Sequence, residues 1–362
     1  SSVTNATITN NGTITVNNGA ATAAGVYEYT NGANRIKKGS YGIIVGKNSK
    51  FVSDGAHDAD VNINVKETES IGLYAGENAK LEVKDHTVNA NDGAVNYDAD
   101  KNSILKLKGT GTAYTGKKSL LFYLSEDGTG KVSIGNTMNA TIEGGTSPAD
   151  RGTAFYYVGT GTYSPFNQGV VGSWISGTFN NTLHNLTLTM NPGSRLFIAQ
   201  NVGMNLTDAN PSSLFPTGAG PTIINNDYKP FMLYLSKLTM DKNVNLDDAN
   251  DDYNKLEISN SSIDNNNSNT VTGTQSGQTA IAQENLTTNR AAVTLNNNGI
   301  INLSGANSTA MYAKYGVINN NATGTITIGD SSTGLYGTAD SILTNTGTIT
   351  MGSSSTGMYS EG

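Results

Sequence analysis

Much of this chain is built from short runs in which apolar residues alternate with Thr, Asn, Lys or Glu. They include Thr13-Ile14-Thr15-Val16, Val61-Asn62-Ile63-Asn64-Val65, Leu81-Glu82-Val83, Ile104-Leu105-Lys106-Leu107 and Leu186-Thr187-Leu188-Thr189-Met190. Val244-Asn245-Leu246, Leu256-Glu257-Ile258 and Val293-Thr294-Leu295 continue the series. A period of two predicts short strands with one dry face and one wet face. Nothing follows the 3.6-residue period of an amphipathic helix. A second recurring element is a small residue, an apolar one and often tyrosine: Gly25-Val26-Tyr27, Gly42-Ile43-Ile44 and Gly72-Leu73-Tyr74. Looser copies are Gly93-Ala94-Val95, Leu121-Phe122-Tyr123, Ala154-Phe155-Tyr156 and Met232-Leu233-Tyr234. The gap of 78 residues between Tyr156 and Tyr234 (234 − 156) predicts a hidden copy near Leu196-Phe197-Ile198.

The two elements alternate most regularly at the C-terminal end. Three copies there close on Tyr312, Tyr336 and Tyr359, 24 and 23 residues apart (336 − 312, 359 − 336). A fixed period in this range marks a solenoid in which each copy is one coil. Between strands lie Asn10-Asn11-Gly12, Asn17-Asn18-Gly19, Asn296-Asn297-Asn298-Gly299 and Asn319-Asn320-Asn321. These residues tolerate tight corners, and stacked asparagines can pair from coil to coil as amide ladders. The expected fold is all-β, a right-handed parallel β-helix with roughly 20–25 residues per coil and loop or subdomain insertions between rungs. A leucine-rich repeat is excluded by the missing Leu-x-x-Leu-x-Leu register, and helix-pair repeats by the absence of helical periodicity.

Three regions are expected: coils over 1–143, coils interrupted by insertions over 144–235, and coils over 236–362, most regular from 293 on. The middle region holds all seven prolines, from Pro148 to Pro230, and the sole tryptophan, Trp174. Proline cannot donate to a ladder, so the prolines predict excursions from the coil. Asp247 to Tyr253 and Asn260 to Gln278 read as further exposed loops.

Composition narrows the function. Cysteine is absent, which excludes disulfides and thiolate metal sites. The net charge is −7, with fourteen basic and fourteen acidic residues up to Lys131, and eight and fifteen beyond it. No basic patch or arginine-rich stripe emerges, so nucleic acid is not an expected partner. No run of about 18 apolar residues predicts a membrane-spanning helix. The pattern begins in mid-stride at Ser1 and stops just after a tyrosine box, as expected of a mature segment of a longer protein.

Catalysis is not expected, nor a cofactor or a metal. Glycosidases need two or three carboxylates aimed into one groove, and the outward strand positions here are mostly Thr and Asn. The densest carboxylate cluster, Asp247, Asp248, Asp251 and Asp252, reads as a solvated loop before it reads as a calcium site. Asp98 to Ser103 begins like a calcium loop but lacks its glycine, and Gly109 stands where the bidentate glutamate belongs. His57, His86 and His184 have no ligand spacing and are expected on the surface. Binding is easier to motivate. Trp174 with Tyr156, Tyr157, Tyr163, Phe166 and Phe179 is the candidate ligand-binding set, a platform for sugar rings or a protein receptor. The alternative is a satellite core under the insertion. Alternation also places Tyr336 and Tyr359 outside, if Leu335 and Met358 point inward.

The repeated Gly-Thr-Ile-Thr-[Ile/Met]-Gly and Ser-Ser-Thr-Gly-[Leu/Met]-Tyr, within Thr323 to Tyr336 and Thr346 to Tyr359, resemble the passengers of type V autotransporters, especially the large fusobacterial adhesins. The resemblance is good over the last seventy or so residues, recognisable over the first hundred, and does not reach 144–235. It implies secretion through a C-terminal outer-membrane barrel, exposure on the bacterial cell surface, and binding to a host-cell receptor or glycan or to partner bacteria. It transfers no binding residue, because the shared motif is structural. A passive stalk and, less favoured, a polysaccharide-degrading enzyme are the alternatives.

Overall fold

A computed structural model of the chain describes residues 30–31, 34–35, 41–51, 61–66, 70–124, 131–158, 162–164, 169–171, 183–206, 215, 218–225, 227–249, 251–284 and 293–362. The early strand at 13–16, the box at 25–27, the asparagine turns at 10–12 and 17–19, and His57 lie outside these residues. The fold is a parallel β-helix, in which strand makes up 58 % and helix 3 % of the described residues. Two compact units divide it: Ser1–Val158 with Gly177–Ile198 and Leu214–Lys229, and Gly159–Ser176 with Ala199–Ser213 and Pro230–Gly362.

Among the described residues, four coils of the first unit give one strand to each of three walls, and the coils that follow contribute to the first and third. The first wall stacks Tyr41–Val45, Ile71–Ala75, Val95–Ala99, Leu120–Leu124, Thr153–Val158 and Arg195–Gln200. The second stacks Lys50–Phe51, Lys80–Val83, Ile104–Leu107 and Lys131–Ile134. The third stacks Val61–Lys66, His86–Asn91, Gly111–Thr115, Met138–Ile142, Leu186–Met190 and Thr222–Ile224. Alternation decides what goes inside: Val61, Ile63 and Val65 are buried while Asn62 and Lys66 are exposed. The expected hidden copy is present, since Leu196-Phe197-Ile198 falls inside the strand Arg195–Gln200.

Stacking puts chemically like residues on top of one another. Tyr97, Phe122, Phe155 and Phe197 form an internal stack with ring centroids 5.1, 5.6 and 4.9 Å apart. Phe215 meets Phe155 edge-on at 5.9 Å. Each such pair stabilises by about 0.5–1.5 kcal/mol beyond the area it buries. The small residue that opens the tyrosine box also has a physical reason. In Ile71–Ala75 three consecutive residues, Ile71, Gly72 and Leu73, are buried before Tyr74 turns outward. A Cβ on Gly72 would lie 2.5 Å from Val88 Cγ1 and 2.7 Å from the Asn96 carbonyl. The looser box at Gly93-Ala94-Val95 is out of register: Val95 pairs with Ile71, and Tyr97 with Leu73. The true equivalent of Gly72-Leu73-Tyr74 is therefore Asn96-Tyr97-Asp98. Asn96 fills the crowded position because its amide donates to the carbonyls of Val88 (2.7 Å) and Tyr114 (3.1 Å) and accepts from Thr115 (2.9 Å).

The second unit repeats the scheme with its own walls. One contains Gly203–Asn205, Lys237–Met240, Ser262–Asn265, Thr294–Asn297, Val317–Asn320 and Ile342–Asn345. Another contains Val244–Asn245, Thr270–Gly273, Ile300–Leu303, Thr325–Ile328 and Thr348–Met351. The last contains Thr279–Glu284, Thr309–Lys314, Thr333–Thr338 and Thr356–Glu361. The expected amide ladder exists: Asn265 donates to Asn297, Asn297 to Asn320 and Asn320 to Asn345, each at 2.8 Å. It runs through strand positions as well as corners. Likewise the polar stretch from Asn260 to Gln278 is not one loop. It contains Ser262–Asn265 and Thr270–Gly273, whose threonines and asparagines fill ladder positions.

The proline-rich region keeps more of the coil than its prolines suggest. Pro192 sits at a corner directly after Leu186–Met190, beside Gly193 at φ +77°, and Pro230 lies within Lys229–Tyr234. Pro148 opens the short 3-10 turn Pro148–Asp150. A true departure from parallel stacking is the antiparallel pair Thr162–Ser164 with Gly169–Val171. Pro165, Pro211 and Pro216 lie outside the described residues.

Candidate functional site

The expected ligand-binding set divides. Tyr156 and Tyr157 are neighbours in Thr153–Val158, so alternation sends them to opposite sides. Tyr156 is half-buried on the outside and stacks on Tyr123, with centroids 5.1 Å apart and ring planes at 26°. Tyr157 is 2 % exposed and belongs to the interior, where no ligand approaching the outer surface meets it. Tyr163 lies in the antiparallel pair, opposite Val170, and belongs to the second unit. Phe166, Trp174 and Phe179 lie outside the described residues.

The outward partners of Tyr156 follow from register. Ile44, Tyr74, Asp98, Tyr123 and Tyr156 occupy one column of the first wall. Tyr41 and Tyr74 also touch, with centroids 5.9 Å apart. The Tyr74 hydroxyl donates to Asp100 Oδ2 at 3.1 Å, and burial, reinforced by the charges of Asp100 and Asp98, pushes this phenol above its usual range. In the second unit Leu335 is fully buried and Tyr336 turns outward. Tyr312, Tyr336 and Tyr359 form a ladder with spacings of 5.3 and 5.4 Å. Met358, in contrast, is 43 % exposed in the last coil. The Tyr336 hydroxyl donates to Glu361 at 3.2 Å, so these rings are held in place.

The aspartates of this loop have protein partners, Asp247 with residues beyond the loop and Asp251 within it. Asp247 accepts from the Thr274 amide at 2.9 Å, the Thr274 hydroxyl at 2.8 Å and the Gln278 amide at 2.8 Å. The Thr274 backbone bond, first of these donors, holds the Asp247 carboxyl below the usual carboxylate range. Asp251 caps the short helix Asp252–Lys255 by accepting from the Tyr253 amide at 3.0 Å. Among the described residues no group of three or more His, Cys, Asp or Glu could hold a metal ion.

His184 is exposed as expected, but His86 is not. It begins His86–Asn91 with the inward residues Val88 and Ala90, and only 4 % of it is exposed. Its ring meets Tyr97 edge-on at 5.9 Å, and Nδ1 lies 3.3 Å from the Lys84 carbonyl. That contact makes Nδ1 the protonated nitrogen, leaving Nε2 without a partner among the described residues. Burial pushes the His86 pKa down, and the Lys84 carbonyl and the Asp85 charge only partly offset it. Gly111 in the next coil is small for this reason: a Cβ there would lie 2.2 Å from Nε2. The signal was the alternation itself, which places residue 86 on the inner face with 88 and 90.

A basic patch not apparent in the linear order is assembled on the second wall. Lys50 pairs with Lys80, Lys80 with Ile104, and Ile104 with Lys131. Beside them Glu82 pairs with Lys106, and Lys106 with Ser133. Glu82 is 4 % exposed and takes Lys80 at 2.7 Å, Lys106 at 3.5 Å and Lys108 at 3.8 Å. Burial pushes its carboxyl up, but the Lys80 hydrogen bond and the three ammonium charges outweigh burial and hold it below the usual range. Lys50, Lys80, Ile104 and Lys131, 30, 24 and 27 residues apart (80 − 50, 104 − 80, 131 − 104), fall in one column because each interval is one coil. No protein-family model matches this chain, and no curated protein matches it.

Proposed function

We propose that this chain is a segment of a surface-exposed bacterial adhesin of the autotransporter type, tethered through an outer-membrane barrel, and that it binds host-cell or partner-bacterium receptors. The observation that carries the reading is the regular outer surface of the coils. Ordered side chains, notably the Tyr123–Tyr156 stack and the Tyr312–Tyr336–Tyr359 ladder, are presented at rung spacing. Aromatic faces fixed in this way lose little entropy on meeting a sugar ring or a receptor side chain. The repeat motif and its resemblance to adhesin passengers support the same conclusion. A second reading, a passive stalk, is favoured by the hydroxyl of Tyr336, which is tied to Glu361 within the ladder.

The test is binding of the purified segment to epithelial cells and to partner bacteria. Three variants accompany it: Trp174→Ala, a Tyr123→Ser and Tyr156→Ser double variant, and a Tyr312→Ser and Tyr336→Ser double variant. The adhesin reading expects saturable binding that at least one variant weakens while strand-rich circular dichroism is retained. Absence of binding by the parent segment would leave the stalk.

A further inference from the structure

We propose that the second wall of the first unit is a binding surface for a linear acidic polysaccharide bearing sulfate or carboxylate groups. This names the ligand class for the adhesin reading above and rests on it. The wall is built from Lys50–Phe51, Lys80–Val83, Ile104–Leu107 and Lys131–Ile134. Its outward residues are Lys50, Lys80, Lys106 and Lys131 with Glu82, Ile104 and Ser133, and Lys84 and Lys108 follow directly after two of the strands. Six lysines therefore stand against one glutamate, on a chain whose net charge is −7. Among the described residues at the adjoining corners, Glu77 pairs with Lys47 at 2.5 Å, while Asp85 accepts from the Thr110 amide at 2.6 Å and Asp100 from the Tyr74 hydroxyl; these last two keep their charge, and the lysines still outnumber the acids beside them.

Parallel in-register stacking sets the geometry of this charge. Neighbouring rungs are about 4.8 Å apart, and alternate residues of one strand about 6.6 Å apart, so the ammonium groups form a shallow grid. Lys50 directly opposite Lys80 is a like-charge cross-strand pair, which destabilises a sheet. Such a pair is not a device for stability, and a bound anion relieves it. Buried Glu82 draws Lys80, Lys106 and Lys108 together and holds their stems over the wall without cancelling the excess.

The chemistry selects the kind of polyanion. Lysine offers a compact point charge where arginine would offer a bidentate fork. These strands carry no arginine, and their one aromatic, Phe51, is turned inward. Bases therefore have no stacking platform, and a flat wall inserts nothing into a duplex groove. An extended glycan, whose successive rings advance by close to one rung, can lay its charged substituents along the lysine columns.

The experiment measures binding of the intact segment to immobilised heparin, chondroitin sulfate, hyaluronan and neutral dextran. Single- and double-stranded oligonucleotides and anionic phosphatidylserine vesicles are included as other polyanions. The expected result is binding to the sulfated glycans, none to dextran, and a steep loss between about 50 and about 300 mM salt as screening shortens. Replacing Lys80, Lys106 and Lys131 together by Gln should weaken it by about tenfold or more, since three released counterions are lost from the linkage. The Lys→Arg triple should retain it, and the Gln triple of Lys242, Lys255 and Lys314 in the second unit should bind like the parent. Equal binding by the parent and the Lys80, Lys106 and Lys131 Gln triple overturns the proposal, as does tighter binding to oligonucleotides or vesicles. Cells treated with glycosaminoglycan lyases separate the two readings. A segment that binds cells but no acidic glycan overturns this site and leaves the adhesin reading standing. One that binds the glycans through these lysines but no cell supports the site and overturns the adhesin reading.

Discussion

At the scale of single residues, the amide ladder shows how a neutral polar group can occupy a tightly packed interior. Asn265, Asn297 and Asn320 are fully buried, and Asn297 both accepts from one coil and donates to the next at 2.8 Å. Asn297→Ala removes two bonds and strands the Asn265 donor and the Asn320 acceptor. With about 1–3 kcal/mol for each buried group left unpaired, the second unit should lose about 2–6 kcal/mol. The outer-column change Asn319→Ala breaks one partly buried bond to Asn296 and should cost less than about 1 kcal/mol. Urea unfolding of the two variants beside the parent measures the difference; equal costs would mean that burial of the ladder is unimportant. His86 makes a pH-dependent prediction. Its folded pKa lies below its unfolded value of about 6.5, so between the two values the unfolded chain binds more protons than the folded one. The stability associated with neutral His86 is complete above that unfolded pKa and is lost as pH falls toward the folded pKa. His86→Leu should flatten the part of the stability profile between pH 7 and the folded pKa; an unchanged slope there would assign it to other groups.

At the scale of the element, the crowded first residue of the tyrosine box governs how a strand turns its corner. Gly72→Ala would press a methyl against Val88 and the Asn96 carbonyl, and overpacking of this kind costs about 1–3 kcal/mol. Gly46, by contrast, has open space where its Cβ would lie, so Gly46→Ala should be near neutral. Thermal melts of both variants test the contrast, and a neutral Gly72→Ala would show that the corner can relax. The strands themselves were legible, because period-two alternation over segments such as Val61–Lys66 depends only on local order. The corner at Gly93 was misread because a glycine before two apolar residues looks alike whether it opens a strand or turns a corner. Here it has φ +97° and precedes the strand Val95–Ala99. The lysine wall could not be read from local order, since Lys50, Lys80, Lys106 and Lys131 become neighbours only when the length of every intervening coil is known. Single prolines are less telling than the window that holds them: Pro192 occupies a corner that needs no ladder donor, whereas the antiparallel pair Thr162–Ser164 with Gly169–Val171 does leave the parallel stacking.

At the scale of the whole molecule, net charge and local charge have different consequences. A chain at −7 repels a polyanion at a distance, yet within about a Debye length, 8 Å at physiological salt, the lysines of one wall dominate. Such segregation is available to a solenoid because each coil contributes to a wall, and to the interior, through contacts with its nearest neighbours. The same logic makes whole coils removable. Deleting Thr325 to Gly347 joins Gly324 to Thr348, which takes the place of Thr325 opposite Ile300. Ile349 then stacks on Ile301, Met358 on Met311 and Tyr359 on Tyr312, each replacing its own counterpart. Ser355 inherits the role of Ser332, whose hydroxyl accepts from the Ser308 amide at 3.0 Å, and Glu361 arrives beside Lys314. Removing only Thr325 to Tyr336 instead joins Gly324 to Gly337 and sets corner residues against strands. The full-coil deletion should keep its strand signal per residue in circular dichroism and unfold in urea slightly earlier than the parent, by one coil and its interface. The partial deletion should lose cooperative unfolding of the last coils. Equal damage from both would mean that stability in the second unit resides in contacts spanning several coils, against the nearest-neighbour account.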